Sequence, residues 1–148
     1  DLSRGLVEFR RVLRPRGRVA VCVWSAPDRV PAFAIIAQAL SQHLPAQREV
    51  LQVPFSLADA DRLQRVLAGA AFREVCVTRE TRELAFESFN DSWGPIAAGG
   101  GRLGQAYLGL PEEVRRAVRK DVRKRIARFE SNGRLVMEAE ALFGLASG

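Results

Sequence analysis

The sequence predicts an α/β fold, and three observations carry that prediction. Leu2, Leu6, Phe9 and Leu13 recur at helical spacing and lead into the turn Arg14-Pro15-Arg16-Gly17. The segment Val19-Ala20-Val21-Cys22-Val23-Trp24 then runs apolar without alternation, the pattern of a strand covered on both faces. Helical and strand-like segments continue to alternate to the end of the chain, the order that builds a sheet with helices packed on it. An interior strand belongs in the middle of a sheet, yet here it comes first, so the chain reads as the back half of something larger.

Composition narrows the class. The 148 residues are 47% hydrophobic and 27% charged, ordinary for one globular domain and too polar for a membrane protein. No apolar run approaches the roughly 20 residues that span a bilayer, and Arg4, Arg10 and Arg11 interrupt any leader-like core. Cys22 and Cys76 each lie in an apolar strand-like run and are expected as buried free thiols of a cytoplasmic protein. One histidine and two separated cysteines leave no classical zinc site. The net charge of +6 permits an acidic or nucleic-acid partner without requiring one.

The elements follow in order. Residues 3–14 are expected as a helix, with Ser3 the candidate N-cap. Pro15 and Gly17 make the turn, residues 18–24 the first strand, and Ser25 to Arg29 a loop. Pro31 suits the first turn of a helix that runs to about Leu44, with Phe33, Ile36, Ala37, Leu40 and Leu44 on one face. Residues 46–58 hold a helical turn or loop. Asp59 or Asp61 caps the next helix, whose stripe is Leu63, Val66, Leu67 and Ala70. Phe72 to Arg79 is a second strand that continues to about Phe86 after a break.

Phe89 to Tyr107 is a Gly-rich, partly helical stretch. Residues 112–130 form a strong helix with the stripe Val114, Val118, Val122, Ile126 and Phe129. Asn132-Gly133 is a hairpin-type turn signal. Arg134 to about Leu145 is the last strand, with Leu135, Met137, Ala139 and Ala141 alternating against Val136, Glu138, Glu140 and Leu142.

Ligands of open α/β sheets sit beyond the carboxyl ends of the strands. That makes Trp24, Ser25 and Asp28 candidate substrate contacts; alternatively Trp24 caps the core and Asp28 starts the next helix. Phe89, Trp93 and Tyr107 are candidates for lining an apolar substrate pocket, or for pinning their segment to the body. His43 is a candidate base, but it stands at a helix end, where an imidazole complements the dipole. Gly99-x-Gly101-x-x-Gly104 has the spacing of a dinucleotide fingerprint, but no strand precedes it. It is expected as a flexible loop whose glycines let the stretch move over a pocket as a lid. Arg115, Arg116, Arg119, Lys120, Arg123, Lys124, Arg125 and Arg128 make residues 112–130 basic. They are either the solvated face of an amphipathic helix or the phosphate contacts of a non-enzymatic module that binds nucleic acid.

Three stretches share one family likeness. Leu6-x-x-x-x-Arg11-Val12-Leu13-Arg14-Pro15-Arg16-Gly17-Arg18-Val19, with Val23-Trp24-Ser25, resembles the helix, turn and fifth strand of class I S-adenosylmethionine-dependent methyltransferases. Arg16 departs from the usual Pro-Gly-Gly, and Gly17 is expected to supply the positive φ. Ala70-Ala71-Phe72-Arg73-Glu74-Val75 is similar to the approach to the sixth strand, with Ala71 where Gly is common. Ser88-Phe89-Asn90-Asp91-Ser92-Trp93-Gly94-Pro95, followed by Tyr107-Leu108, resembles the insertion before the seventh strand in bacterial members related to the quinone-biosynthesis type.

The resemblance implies the C-terminal part of a Rossmann-like fold, spanning 1–148 as a single domain fragment. It implies a three-stranded mixed sheet in the order fifth, seventh, sixth, and a substrate-side insertion or lid over residues 87–130. It implies methyl transfer from S-adenosylmethionine to a small-molecule acceptor, this chain supplying the substrate side. The Gly-rich loop and acidic residue that hold the cofactor in that family have no counterpart in this sequence, so the chain is expected to bind S-adenosylmethionine weakly or not at all. No catalytic residue is assigned. An exposed edge on the first strand is expected to favour a homodimer.

Overall fold

The structure is a computed structural model and describes residues 1–148, which form seven α-helices and an open antiparallel sheet of four strands. The chain divides into two compact units. Residues 1–26, 54–81 and 140–148 make the first; residues 27–53 and 82–139 make the second.

In the first unit, α1 (Leu2–Val12) starts at Asp1, whose carboxylate accepts the Arg4 amide. The cap is therefore Asp1 and not Ser3; both are N-cap formers, and the acid lies one turn ahead of a free amide. Leu6 is buried, but Phe9 is 54% exposed, so only part of the expected stripe meets the core. In the turn that follows, the left-handed residue is Arg16, at φ 62°, and not Gly17. Gly17 serves by close approach instead. A Cβ there would lie 2.8 Å from the Arg14 carbonyl oxygen, to which the Gly17 amide donates at 2.7 Å.

Strand β1 (Arg18–Trp24) pairs antiparallel with the end of β4 (Arg134–Ser147), from Arg18 opposite Ser147 to Trp24 opposite Ala141. Strand β2 (Arg73–Phe86) lies on the other side of β4, which makes the order β1-β4-β2. The Ser147 hydroxyl donates to the Arg73 carbonyl and the Glu74 carboxylate, joining the end of β4 to the start of β2. Helix α4 (Ala60–Gly69) is capped by Asp59, which accepts the Arg62 amide at 2.7 Å. Leu6, Leu63, Leu67, Phe72, Leu142 and Ala146 form one buried cluster, with Val19, Val21, Val23, Val75 and Val77 packed against it.

That packing corrects three expectations. The sheet has four strands because β3 (Glu130–Ser131) joins it, and it is antiparallel, not mixed, because the middle strand runs against its neighbours. β1 is an edge strand covered on one face: Val19, Val21 and Val23 turn to the core while Ala20 and Cys22 are exposed. Cys22 and Cys76 are free thiols, but exposed ones, since each points away from the helix-covered face. A run of small apolar residues looks the same whether both faces are buried or only one.

In the second unit, α2 (Pro31–His43) buries Ile35, Ile36, Ala37, Ala39, Leu40 and Ser41. A helix buried over so much of its circumference is a core helix, not a one-sided surface one. It packs on α3 (Arg48–Gln52), whose Leu51 is fully buried, and on α7 (Glu112–Ile126), whose buried face is Val118, Val122 and Ile126. Helices α5 (Phe89–Ala97) and α6 (Gly101–Leu108) pack on each other. Ser88 caps α5 by accepting the Asp91 amide and donating its hydroxyl to the Asp91 carboxylate.

After α7 and one tight helical turn, β3 folds back onto β4. Asn132 and Gly133 take φ 51° and 79°, the two left-handed positions of a two-residue hairpin turn, with Glu130 opposite Leu135 and Ser131 opposite Arg134. Along β4, Leu135, Met137 and Ala139 are buried in the second unit, while Leu142 and Ala146 are buried in the first. The apolar phase slips by one residue at Glu140-Ala141, so the expected alternation holds only as far as Ala139.

Candidate functional site

Four elements of the second unit enclose a cavity of about 240 Å³. Helix α5 presents Phe89, Trp93 and Ile96 along one face, at the spacing where successive helical turns align. α2 contributes Ala32, Phe33 and Ile36; α7 contributes Val122 and Ile126; Leu84 and Phe86, two apart and so on one side of their strand, complete the wall. No charged side chain lines the cavity; its side-chain polar groups are the Ser92 hydroxyl and the Trp93 indole N–H. The Ser92 hydroxyl donates to the Phe89 carbonyl at 2.8 Å.

The aromatic wall is fixed from behind. The Phe89 and Trp93 rings stack at 5.8 Å and 16°, and Tyr107 meets Trp93 edge-on at 5.0 Å and 85°. The guanidinium groups of Arg119 and Arg123 lie 5.8 and 5.2 Å from the centre of the Phe89 ring, within cation–π range. Arg119 also donates to the Asn90 side-chain oxygen at 2.8 Å, and Arg123 pairs with Glu130 at 2.8 Å.

The six residues singled out from the sequence are distributed as follows. Phe89, Trp93 and Tyr107 are buried together; the first two line the cavity and the third supports Trp93. Asp28 belongs to the same unit but is exposed, in a tight turn at Pro27–Arg29, and is not part of the lining. Trp24 and Ser25 belong to the first unit. Ser25 is 3% exposed; its hydroxyl donates to the Glu140 carboxylate at 2.5 Å and its amide to the Glu140 carbonyl at 3.0 Å. Those bonds clasp the end of β1 to β4. Phe33, Leu84, Phe86 and Val122 are lining residues that periodicity places only on buried faces. Nothing in a one-dimensional pattern says that four such faces stop short of one another.

The glycines at the α5–α6 corner do not loosen it. Gly99 takes φ 81°, and a Cβ at Gly104 would lie 2.5 Å from the Gly99 carbonyl carbon. The Gln105 side-chain amide donates to the Gly99 carbonyl at 2.8 Å. The expected flexible lid hinge is therefore a close-packed corner, in which glycine lets two backbones approach. The motif follows a helix, as a dinucleotide site would not.

Helix α7 buries its apolar stripe and ties several of its cations to neighbours. Arg125 reaches Asp121 at 2.8 Å, Gln38 at 3.0 Å and Gln42 at 3.3 Å, and Arg116 reaches Glu112 at 3.7 Å. His43 is exposed at the end of α2. No group of metal-ligating side chains occurs, and no helix is long and apolar enough to cross a membrane. In the first unit, an open cleft of about 510 Å³ is edged by Arg10, Arg11, Arg14 and Arg16. Arg11 there is bonded to Glu8, whose carboxyl it holds below the usual carboxylate range.

No protein-family model matches the sequence, and no curated protein matches it significantly.

Proposed function

We propose that this chain is the substrate-side part of an S-adenosylmethionine-dependent methyltransferase acting on a small molecule. The observation that carries the reading is the order β1-β4-β2 with an antiparallel middle strand. It corresponds to the fifth, seventh and sixth strands of the family that the sequence resembles. The backbone adds support at two places. Arg16 and Ala71 stand where the family commonly has glycine, and both take left-handed φ, 62° and 63°. That conformation costs an L-residue roughly 1–2 kcal/mol, so the turn geometry is kept although the glycine is not.

The residues present do not fit the cofactor. The cavity offers no charged group for a charged, hydroxyl-rich molecule, and the Ser25 hydroxyl at the end of β1 is committed to Glu140. The part assigned to this chain is to exclude water from the acceptor and hold it against an aromatic wall, which supplies orientation and not acid–base chemistry. Exposed apolar surface on the first unit is consistent with a portion of a larger body. Ala20 lies opposite Leu145 and Cys22 opposite Phe143, with Leu145 50% and Phe143 36% exposed.

The test is transfer of a labelled methyl group from S-adenosylmethionine to a small molecule by the natural protein that carries these residues. Absence of transfer to any acceptor in a cell extract rejects the reading. Calorimetry of the 148-residue chain with S-adenosylmethionine is expected to give no binding heat, and micromolar affinity would overturn its assignment to the substrate side.

A further inference from the structure

We propose that the open cleft of the first unit is a site for a small molecule carrying a diphosphate group. The site stands apart from the proposed methyl transfer. It opens where β1 begins, whereas Trp24 and Ser25 stand at the other end of that strand, roughly 20 Å away by strand length.

Charge comes first. Arg10 and Arg11 belong to the last turn of α1, Arg14 and Arg16 to the chain beyond it, and all four edge the cleft. The dipole of α1 accounts for cations in its last turn but not for those that follow. Glu8 is the one acidic side chain paired with any of them, through Arg11. Arg10, Arg14 and Arg16 have no ionic partner. Four cations against one carboxylate leave three positive charges, and two phosphate groups bring roughly three negative ones. The planar guanidinium fork also matches phosphate oxygens in pairs. The backbone comes second. Arg16 takes φ 62°, a conformation that glycine adopts without strain and arginine does not. Strain of that kind persists where the side chain has a task. The rest of the lining selects the ligand. A volume of about 510 Å³ is that of a small-molecule site. No aromatic, hydroxyl or amide side chain lines it, so nucleic-acid bases find nothing to stack on and a sugar finds no side-chain partner. The charge is also gathered within residues 10–16 and not spread along a strand-length stripe, which favours a compact anion over a nucleic acid.

The experiment is calorimetric titration of the protein at about 0.15 M salt with pyrophosphate, phosphate and oligothymidylate, with melting curves for each variant. Saturable binding of pyrophosphate is expected, with phosphate at least about tenfold weaker because it engages fewer guanidinium groups. Arg16→Gly should weaken pyrophosphate at least about tenfold while melting no lower than the parent, since glycine suits the backbone there. Arg14→Gln should weaken it similarly without touching the left-handed turn residue. Lys120→Gln removes an exposed cation of α7, in the second unit, and should leave the affinity within about twofold. The proposal is overturned if pyrophosphate gives no saturable heat, if the folded arginine variants keep full affinity, or if Lys120→Gln weakens binding as much as they do. Tighter binding of oligothymidylate than of pyrophosphate would overturn it in favour of a nucleic-acid surface. None of these outcomes bears on methyl transfer, whose test is separate.

Discussion

Arg16 and Ala71 hold left-handed backbone without being glycine, and each sits in a turn that leads into a strand. Replacing either by Gly removes a steric cost of roughly 1–2 kcal/mol and adds an entropic one of about 0.5–1 kcal/mol. Arg16→Gly and Ala71→Gly should each raise stability by about 0.5–1 kcal/mol in urea titration; a loss of stability in both would show that the side chains matter more than the dihedral angles. Gly104 is the opposite case. A Cβ there meets the Gly99 backbone, which has no side-chain freedom to yield, so Gly104→Ala should cost about 1–3 kcal/mol. Glu8 supplies a pH signature. Arg11 depresses its folded pKa, so the pair supports α1 above the unfolded carboxyl pKa, and that support is lost as pH falls through the folded value. Because the pair is fully exposed, Glu8→Gln should lower the melting temperature only slightly at neutral pH. The difference should vanish in acid and in high salt.

At the scale of elements, local chemistry and burial part company. The β3–β4 hairpin is legible from Asn132-Gly133, since that pair favours the two left-handed positions a tight hairpin needs. α4 is legible from Asp59 and its apolar stripe, and Leu67 of that stripe is fully buried. Leu67→Ala should cost about 2–5 kcal/mol by denaturant unfolding, the range for a buried leucine whose cavity cannot collapse. Two of the failures share one cause. The run of residues 19–24 looks two-sided, and the glycines at 99–104 look loose, because sequence records what a residue is and not what lies beside it. β4 shows the same limit. Its alternation is plain, but the slip at Glu140-Ala141 depends on which packing partners each half of the strand meets.

For the molecule as a whole, β1 leaves one edge and its outer face uncovered, and an unpaired apolar edge is a template for pairing. Light scattering on the isolated chain is expected to show a dimer, and a monodisperse monomer would count against pairing through that edge. The candidate site was legible in outline: Phe89, Trp93 and Tyr107 stand together, as their common segment suggested. The remaining walls come from α2, β2 and α7, distant in sequence, and were not legible. By itself the sequence determined the α/β class, the α4 cap at Asp59, the hairpin and the apolar faces, since each depends on short-range sterics, hydrogen bonding and periodicity. Only the tertiary structure decided which face of each strand is covered, that the glycine corner is closed, and that four apolar faces leave a ring-sized gap. Those outcomes depend on the volumes and distances between segments far apart in the chain, which no local pattern encodes.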